Sequence, residues 1–135
     1  MVGVDSTVTA VDIPNQVGGA AVIGIEKEIF VHCPELVRVT VPATVTQIQL
    51  PNFYHCDLLT EVQVAAGNPS YSSLNGVVYN ADRTELVCIP GGITGAYQFP
   101  ETVTSIHPDA LYRSRITSIT IPACITDLPQ GVLSL

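Results

Sequence analysis

An alternating apolar run that closes on proline returns along this chain at nearly constant spacing, and no other feature restricts its fold as tightly. The fullest unit is Val39 to Val64, in which Val39-Thr40-Val41-Pro42 leads through Val45-Thr46-Gln47-Ile48 and a compact Phe53-x-x-Cys56-x-x-Leu59 segment back to a second alternating run. Val41 and Val64 hold equivalent places 23 residues apart, and Phe99 and Ile121 do so 22 apart. Self-similarity at such a period means that each unit leaves an apolar face open and the next unit covers it, so the chain must coil. Upstream, Ile13-Pro14 precedes Val41-Pro42 by 28, whereas Phe30-x-x-Cys33-x-x-Leu36 precedes Phe53-x-x-Cys56-x-x-Leu59 by 23. Extra residues therefore lie between Pro14 and Phe30, and Gly18-Gly19-Ala20-Ala21 is the stretch best suited to hold them as a loop.

Within each unit the period of two separates a buried face from a wet one. Val11 and Ile13 share a face, as do Val37, Val39 and Val41 in the second turn and Val62 and Val64 in the third. Proline at positions 14, 42, 100 and 122 removes a ladder donor and marks a corner after each strand. Val45 and Ile48 start a second wall, Phe30, Cys33 and Leu36 point inwards, and Ile25 to Phe30 suits a short helical turn on the outer wall. The repeat breaks at Ala65-Ala66-Gly67-Asn68-Pro69. The block from Ser70 to Pro90 then holds two strand-like runs around a polar turn at Asn80 to Thr84 and reads as a β-hairpin. Asn75-Gly76 is a second turn, with a small strand over Tyr71 to Leu74 before it. Tyr97 to Ile106 restores the coil, Leu111 stands where Phe is expected, and Ile116 to Pro122 with Ile125 and Leu128 forms a last strand pair.

Composition excludes several classes of function. With 47% apolar residues, 13% charged residues, 10 Gly, 10 Pro and no Trp, the chain favours many short strands over disorder or a helical bundle. Its net charge is −7 and Lys27, Arg38, Arg83, Arg113 and Arg115 are its cations, which leaves no surface able to neutralise a run of phosphates or bind an anionic membrane. No apolar run approaches the roughly 20 residues needed to span a bilayer. Met1 to Ser6 carries no secretory leader pattern, and Val132 to Leu135 stops partway into a further turn, so the expectation is a segment of a longer protein with an uncapped end. Cys33, Cys56, Cys88 and Cys124 lack the close pairs of a zinc ribbon; Cys33 and Cys56 fill the same slot of successive repeats and are expected as buried, reduced thiols.

These residues resemble the BspA-like, or Treponema-type, leucine-rich repeats of surface proteins of bacteria and some protists. The resemblance rests on Ile116-Thr117-Ser118-Ile119-Thr120-Ile121-Pro122, on Val103-Thr104-Ser105-Ile106, on Phe53-x-x-Cys56-x-x-Leu59, and on the block from Asn68 to Leu86, which is similar to a hairpin that often interrupts such repeats. It implies a β-rich leucine-rich-repeat solenoid, a right-handed coil of about four to five turns with short strands, little helix and one β-hairpin insertion. As a single domain, residues 8–66 would hold the first repeats, 67–95 the hairpin insertion and 96–135 the last repeats. The resemblance further implies cell-surface or secreted placement and a binding or adhesive role, with no catalytic residues to carry over.

The residues themselves point to no enzyme. His32 and His55 should stack one turn apart but, next to inward cysteines, face out as repeated surface residues rather than metal ligands. His107 and Asp109 lack a serine in nucleophile context, and Gly91, Gly92 and Gly95 lack the lysine and helix of a phosphate loop. Glu26 with Glu28 and Asp57 with Glu61 are acidic pairs in an acidic chain. No cofactor or metal is implied. The candidate binding surface is the solvent face of the stacked strands, formed by Asp12, Arg38, Thr40, Glu61, Gln63, Gln98, Ser118 and Thr120. A protein or glycan ligand fits these short polar groups, with the hairpin tyrosines Tyr71 and Tyr79 as a second candidate; the alternative is a spacer that binds nothing.

Overall fold

The structure, a computed structural model, describes residues 7–125 and 128–129. It is a β-solenoid of about four turns, and no residue among those described is helical. Its strands in order are β1 (Ala10–Asp12), β2 (Gln16–Val17), β3 (Ala20–Ala21), β4 (Gly24–Ile25), β5 (Arg38–Val41), β6 (Gln47–Ile48), β7 (Glu61–Val64), β8 (Tyr71–Leu74), β9 (Val77–Asn80), β10 (Glu85–Cys88), β11 (Thr94–Gln98), β12 (Ser105–Ile106) and β13 (Arg115–Thr120).

The first turns form three walls, each built by identical registration of repeat equivalents. The main wall is the parallel sheet β1-β5-β7, in which Val11 faces Val39 and Val39 faces Val62. The second wall is the parallel pair β4-β6, with Ile25 opposite Ile48. On the outer wall the chain runs through turns and bends, and a parallel bridge joins Val31 to Tyr54. Inside, equivalents stack on equivalents: Phe30 lies on Phe53 with ring centroids 5.4 Å apart, and Cys33, Cys56, Leu36 and Leu59 are all buried. Each fully buried leucine of this kind contributes about 2 kcal/mol by removal from water. The five residues in excess of the period form a small antiparallel hairpin, β2-β3, whose turn is Gly18-Gly19 with both φ angles positive.

Two local expectations fail. Ile25 to Phe30 is not a helical turn: Gly24 and Ile25 are paired as β4, and Glu28 takes φ 64°, outside the helical region. Val37 does not face inwards; it is 43% exposed, because the strand starts one residue later and the backbone of Val37 is used to bond Thr9, Thr60 and Glu61. Residues 130–135, where the sequence suggests an incomplete further turn, lie outside the described residues, and so does Met1 to Ser6.

The hairpin is a partition rather than a surface appendage. β9 pairs antiparallel with β8 and β10, and β10 pairs on its other edge with β12, parallel, so it also supplies the second wall of the turn that follows. Its two faces serve two cores. Val78, Val87 and Cys88 join the core of the first turns, while Val77, Tyr79, Leu86 and Ile89 join a second core with Val103, Ile106, Leu111 and Ile116. A sheet buried on both faces needs apolar residues at consecutive positions, which is why Val77-Val78-Tyr79 and Leu86-Val87-Cys88-Ile89 do not alternate. The main wall resumes beyond the partition as β11-β13.

Buried asparagines tie these pieces together. Asn52 donates to the carbonyls of Glu26 and Gln49 at 2.7 and 3.0 Å and accepts from the Phe30 amide at 2.8 Å. Asn68, at the break in the repeat, donates to Pro42 and Val45 and accepts from the amides of Ser70 and Tyr71. Both satisfy backbone groups that a corner would otherwise leave unpaired in the interior.

Candidate functional site

The polar face of the main wall is assembled by strand register. Two rows run across it: Ala10, Arg38 and Glu61 side by side, then Asp12, Thr40 and Gln63. The hydroxyl of Thr40 donates to Asp12 Oδ1 at 2.6 Å, and Gln63 Nε2 donates to Glu61 Oε2 at 2.8 Å along its own strand. The result is a flat surface of fixed carboxylate, hydroxyl and amide groups with one guanidinium.

The eight face residues do not form one continuous row. Asp12, Arg38, Thr40, Glu61 and Gln63 share the β1-β5-β7 sheet, whereas Gln98, Ser118 and Thr120 lie on β11-β13, where Gln98 faces Thr120 and Ser118 faces Ala96. Between them stands the Asn75-Gly76 turn. Gly76, at φ 84°, accepts the Val62 amide at 3.0 Å, and Ser73 Oγ accepts the Val64 amide at 2.9 Å, so this turn covers the free edge of β7. A shallow polar hollow of about 460 Å³ lies on its near side, lined by Thr60, Glu61, Gln63, Ser73 and Asn75. On its far side a cleft of about 490 Å³ runs between the hairpin and β11, bordered by Asn75, Tyr97, Gln98 and Phe99. Asn-Gly is readable in the sequence as a turn. Its position as a ridge dividing the face is not, because that depends on where the partition docks.

The hairpin tyrosines are structural. Tyr79 is 1% exposed, its hydroxyl is hydrogen-bonded to that of Tyr97, and burial pushes its pKa up to about 12. Tyr71 is half-buried, and its hydroxyl accepts the Ile48 amide at 2.9 Å.

On the outer wall the histidines stack as the repeat requires, with ring centroids 4.7 Å apart and planes 19° from parallel. Both are exposed, at φ 54°, and they adjoin Tyr54, which packs edge-on against Tyr112 at 4.9 Å; Arg113 lies over the Tyr112 ring at 5.5 Å. Tyr54 donates to Glu28 at 2.9 Å, and burial foremost, with that carboxylate second, raises its pKa. The other titratable candidates are engaged separately. His107 Nδ1 accepts the Asp109 amide at 3.0 Å within a tight turn, and Asp57 lies 3.8 Å from Arg115. Glu26 and Glu28 share no partner, since Asn52 holds the carbonyl of the first and Tyr54 the carboxylate of the second.

All four cysteines are free thiols, Cys33, Cys56 and Cys88 buried and Cys124 exposed. Burial raises the Cys33 pKa, pushes Cys56 up to about 11, and pushes Cys88 up to about 12 with help from Asp109. Such thiols remain protonated and unreactive at neutral pH. No group of three or more His, Cys, Asp or Glu side chains suited to a metal ion occurs among the described residues.

Comparison with known proteins agrees with this architecture. No curated protein matches the chain. A leucine-rich repeat protein from Eubacterium ventriosum superimposes with a TM-score of 0.72 at 27% identity over 90% of this chain and 32% of its own. The pneumococcal vaccine antigen PcpA superimposes at 0.71 with 20% identity, over 85% of this chain and 29% of its own. A leucine rich cell surface protein from Faecalibacterium prausnitzii gives 0.60 with 19% identity, over 91% and 38%. The chain thus spans about a third of each of these proteins, and the two less identical ones speak to the fold alone. The model of the BspA type leucine rich repeat region matches six copies over residues 5–97 and 91–134, in keeping with the stacked Phe, Cys and Leu positions described above, and the chain belongs to that family.

Proposed function

We propose that the chain is a non-catalytic recognition module, part of a longer cell-surface or secreted protein, that binds a protein or glycan through the polar face of β1, β5 and β7. The observation that carries this reading is the register of that sheet: it sets Arg38 beside Glu61, and Thr40 between Asp12 and Gln63, on a solvent-facing wall. Asp12 with Thr40 and Glu61 with Gln63 are already tethered by hydrogen bonds, which lowers the side-chain entropy they lose when a ligand is bound. A surface placement is supported by the resemblance to a protein named as a leucine rich cell surface protein and to one named as a vaccine antigen. His107 Nδ1 is engaged by the backbone amide of Asp109 and not by its carboxylate, which speaks against a catalytic triad built on these two residues.

The test is a screen against matrix and host proteins and glycan arrays, repeated with Glu61→Arg. A ligand whose affinity falls at least tenfold in that variant, with thermal stability unchanged, supports the reading. Screens without a ligand, or ligands indifferent to Glu61→Arg, support a spacer that holds neighbouring domains apart.

A further inference from the structure

The main wall is interrupted between the third and fourth turns, where β11 stands farther from the strands before it than one strand spacing. Gly92 packs so closely on the third turn that a Cβ there would sit 2.4 Å from the Leu59 carbonyl oxygen, and its amide donates to that oxygen at 2.8 Å. From this anchor β11 diverges. It pairs with β13 along one edge, yet no Cα of β11 comes within 8 Å of a Cα in any other described strand. Neighbouring strands in a sheet lie roughly 4.8 Å apart, so a gap beyond 8 Å separates β11 from the hairpin by more than one strand spacing. Side chains bridge the gap below, where the hydroxyl of Tyr97 meets that of Tyr79. Above that bridge lies the cleft of about 490 Å³.

We propose that this cleft binds an extended peptide segment of a partner protein, which adds a strand to the open edge of β11. Alternate residues of β11 turn their backbone N–H and C=O toward this edge, with no described strand to receive them, and main-chain pairing of this kind supplies affinity with little dependence on sequence. Selectivity comes from the walls. Leu74, Val77, Ile93 and Phe99 are apolar, Tyr97 and Phe99 meet edge to face at 5.3 Å, and no charged side chain lines the cleft. Apolar side chains at alternate positions of the peptide fit this floor, while polar ones between them face solvent beside Asn75 and Gln98, whose carboxamides have no hydrogen-bond partner among the described residues. The register shift between Gly95, which has φ 83°, and Ala96 sets two residues of β11 against three of β13, so the regular edge offered for pairing starts at Ala96.

The site is separate from the β1-β5-β7 face, and the test keeps the two apart. Peptides selected by display against the whole chain are assayed by amide hydrogen exchange. The expected result is enrichment of segments with alternating apolar residues, at least tenfold slower exchange at alternate β11 amides in the complex, and undiminished binding to Glu61→Arg. Gln98→Lys, an exposed change that places charge on the edge, should weaken binding about tenfold or more. N-methylation of alternate peptide bonds, which removes donors and leaves side chains intact, should abolish it. The proposal is overturned if selection enriches no peptide, if bound peptides leave β11 exchange unchanged, if alternate N-methylation in either register leaves binding intact, or if neutral oligosaccharides perturb the cleft amides while peptides do not.

Discussion

The first turns and the hairpin partition occupy the same solenoid and are held by different means. In the first turns every inward position is backed by its own equivalent one repeat away: Phe30 by Phe53, Cys33 by Cys56, Leu36 by Leu59, Val39 by Val62. Stability there is spread over many similar apolar contacts, and the same spacing that builds the core also sets the register. The partition meets an equivalent strand only on its far side, where β10 lies beside β12, and has none toward the first turns. It is seated by single contacts of unusual closeness, Gly76 against Thr60 and Gly92 against Leu59, and by the one asparagine, Asn68, that closes the break. A repeated region tolerates error by averaging, whereas a unique insertion depends on a few positions.

The strongest way to break the comparison is at the stacked core. Phe53→Ala removes a fully buried ring lying on Phe30, and should cost about 4 kcal/mol, seen as a lowered urea midpoint with loss of protection throughout β1, β5 and β7. Gly76→Ala attacks the partition instead. Its Cβ would lie 2.0 Å from the Thr60 carbonyl oxygen at φ 84°, so a loss of about 3 kcal/mol is expected, with hydrogen exchange accelerating in β8 and β9 before β1 and β5. Gly18→Ala calibrates that result, because Gly18 also has positive φ but nothing within 4 Å of its Cβ; backbone strain alone should cost about 1 kcal/mol.

Asn68→Ala sharpens the comparison further, leaving the carbonyls of Pro42 and Val45 and two amides without their partner, for about 2 kcal/mol in the same urea titration. The smallest expected effect is on pH dependence. Folding raises the thiol pKa of Cys56 from 9.0 to about 11 and of Cys88 to about 12, so the folded state keeps protons that the unfolded chain releases. The associated stability is complete below pH 9 and declines as the pH rises through 11 and 12. Urea midpoints measured between pH 8 and 11 should fall less steeply in Cys56→Ala than in the parent chain; equal slopes would remove the thiol from the account.

How far the architecture was legible follows from the same contrast. Residues that recur at 22 or 23 positions announce their own neighbours, since in a parallel coil a residue lies beside its equivalent; hence the His32–His55 stack, the inward cysteines and the β2-β3 excursion at Gly18-Gly19. Val37 misled because alternation identifies a face but not the residue at which a strand begins, and bending of the chain exposed a valine that the pattern sets inside. In the sequence Asn52 and Asn68 are only polar residues near corners, although burial makes them the hubs of their turns.

What the amino-acid sequence determined by itself is the repeat: its period, its apolar ladder and the alternation that separates core from surface, all local properties copied from turn to turn. The tertiary structure alone decided that the hairpin would divide the interior into two cores, that Asn75-Gly76 would split the polar face, and that β11 would stand apart from the strand before it. Each of those depends on a contact made once, between backbone atoms that no spacing in the sequence can bring together on paper.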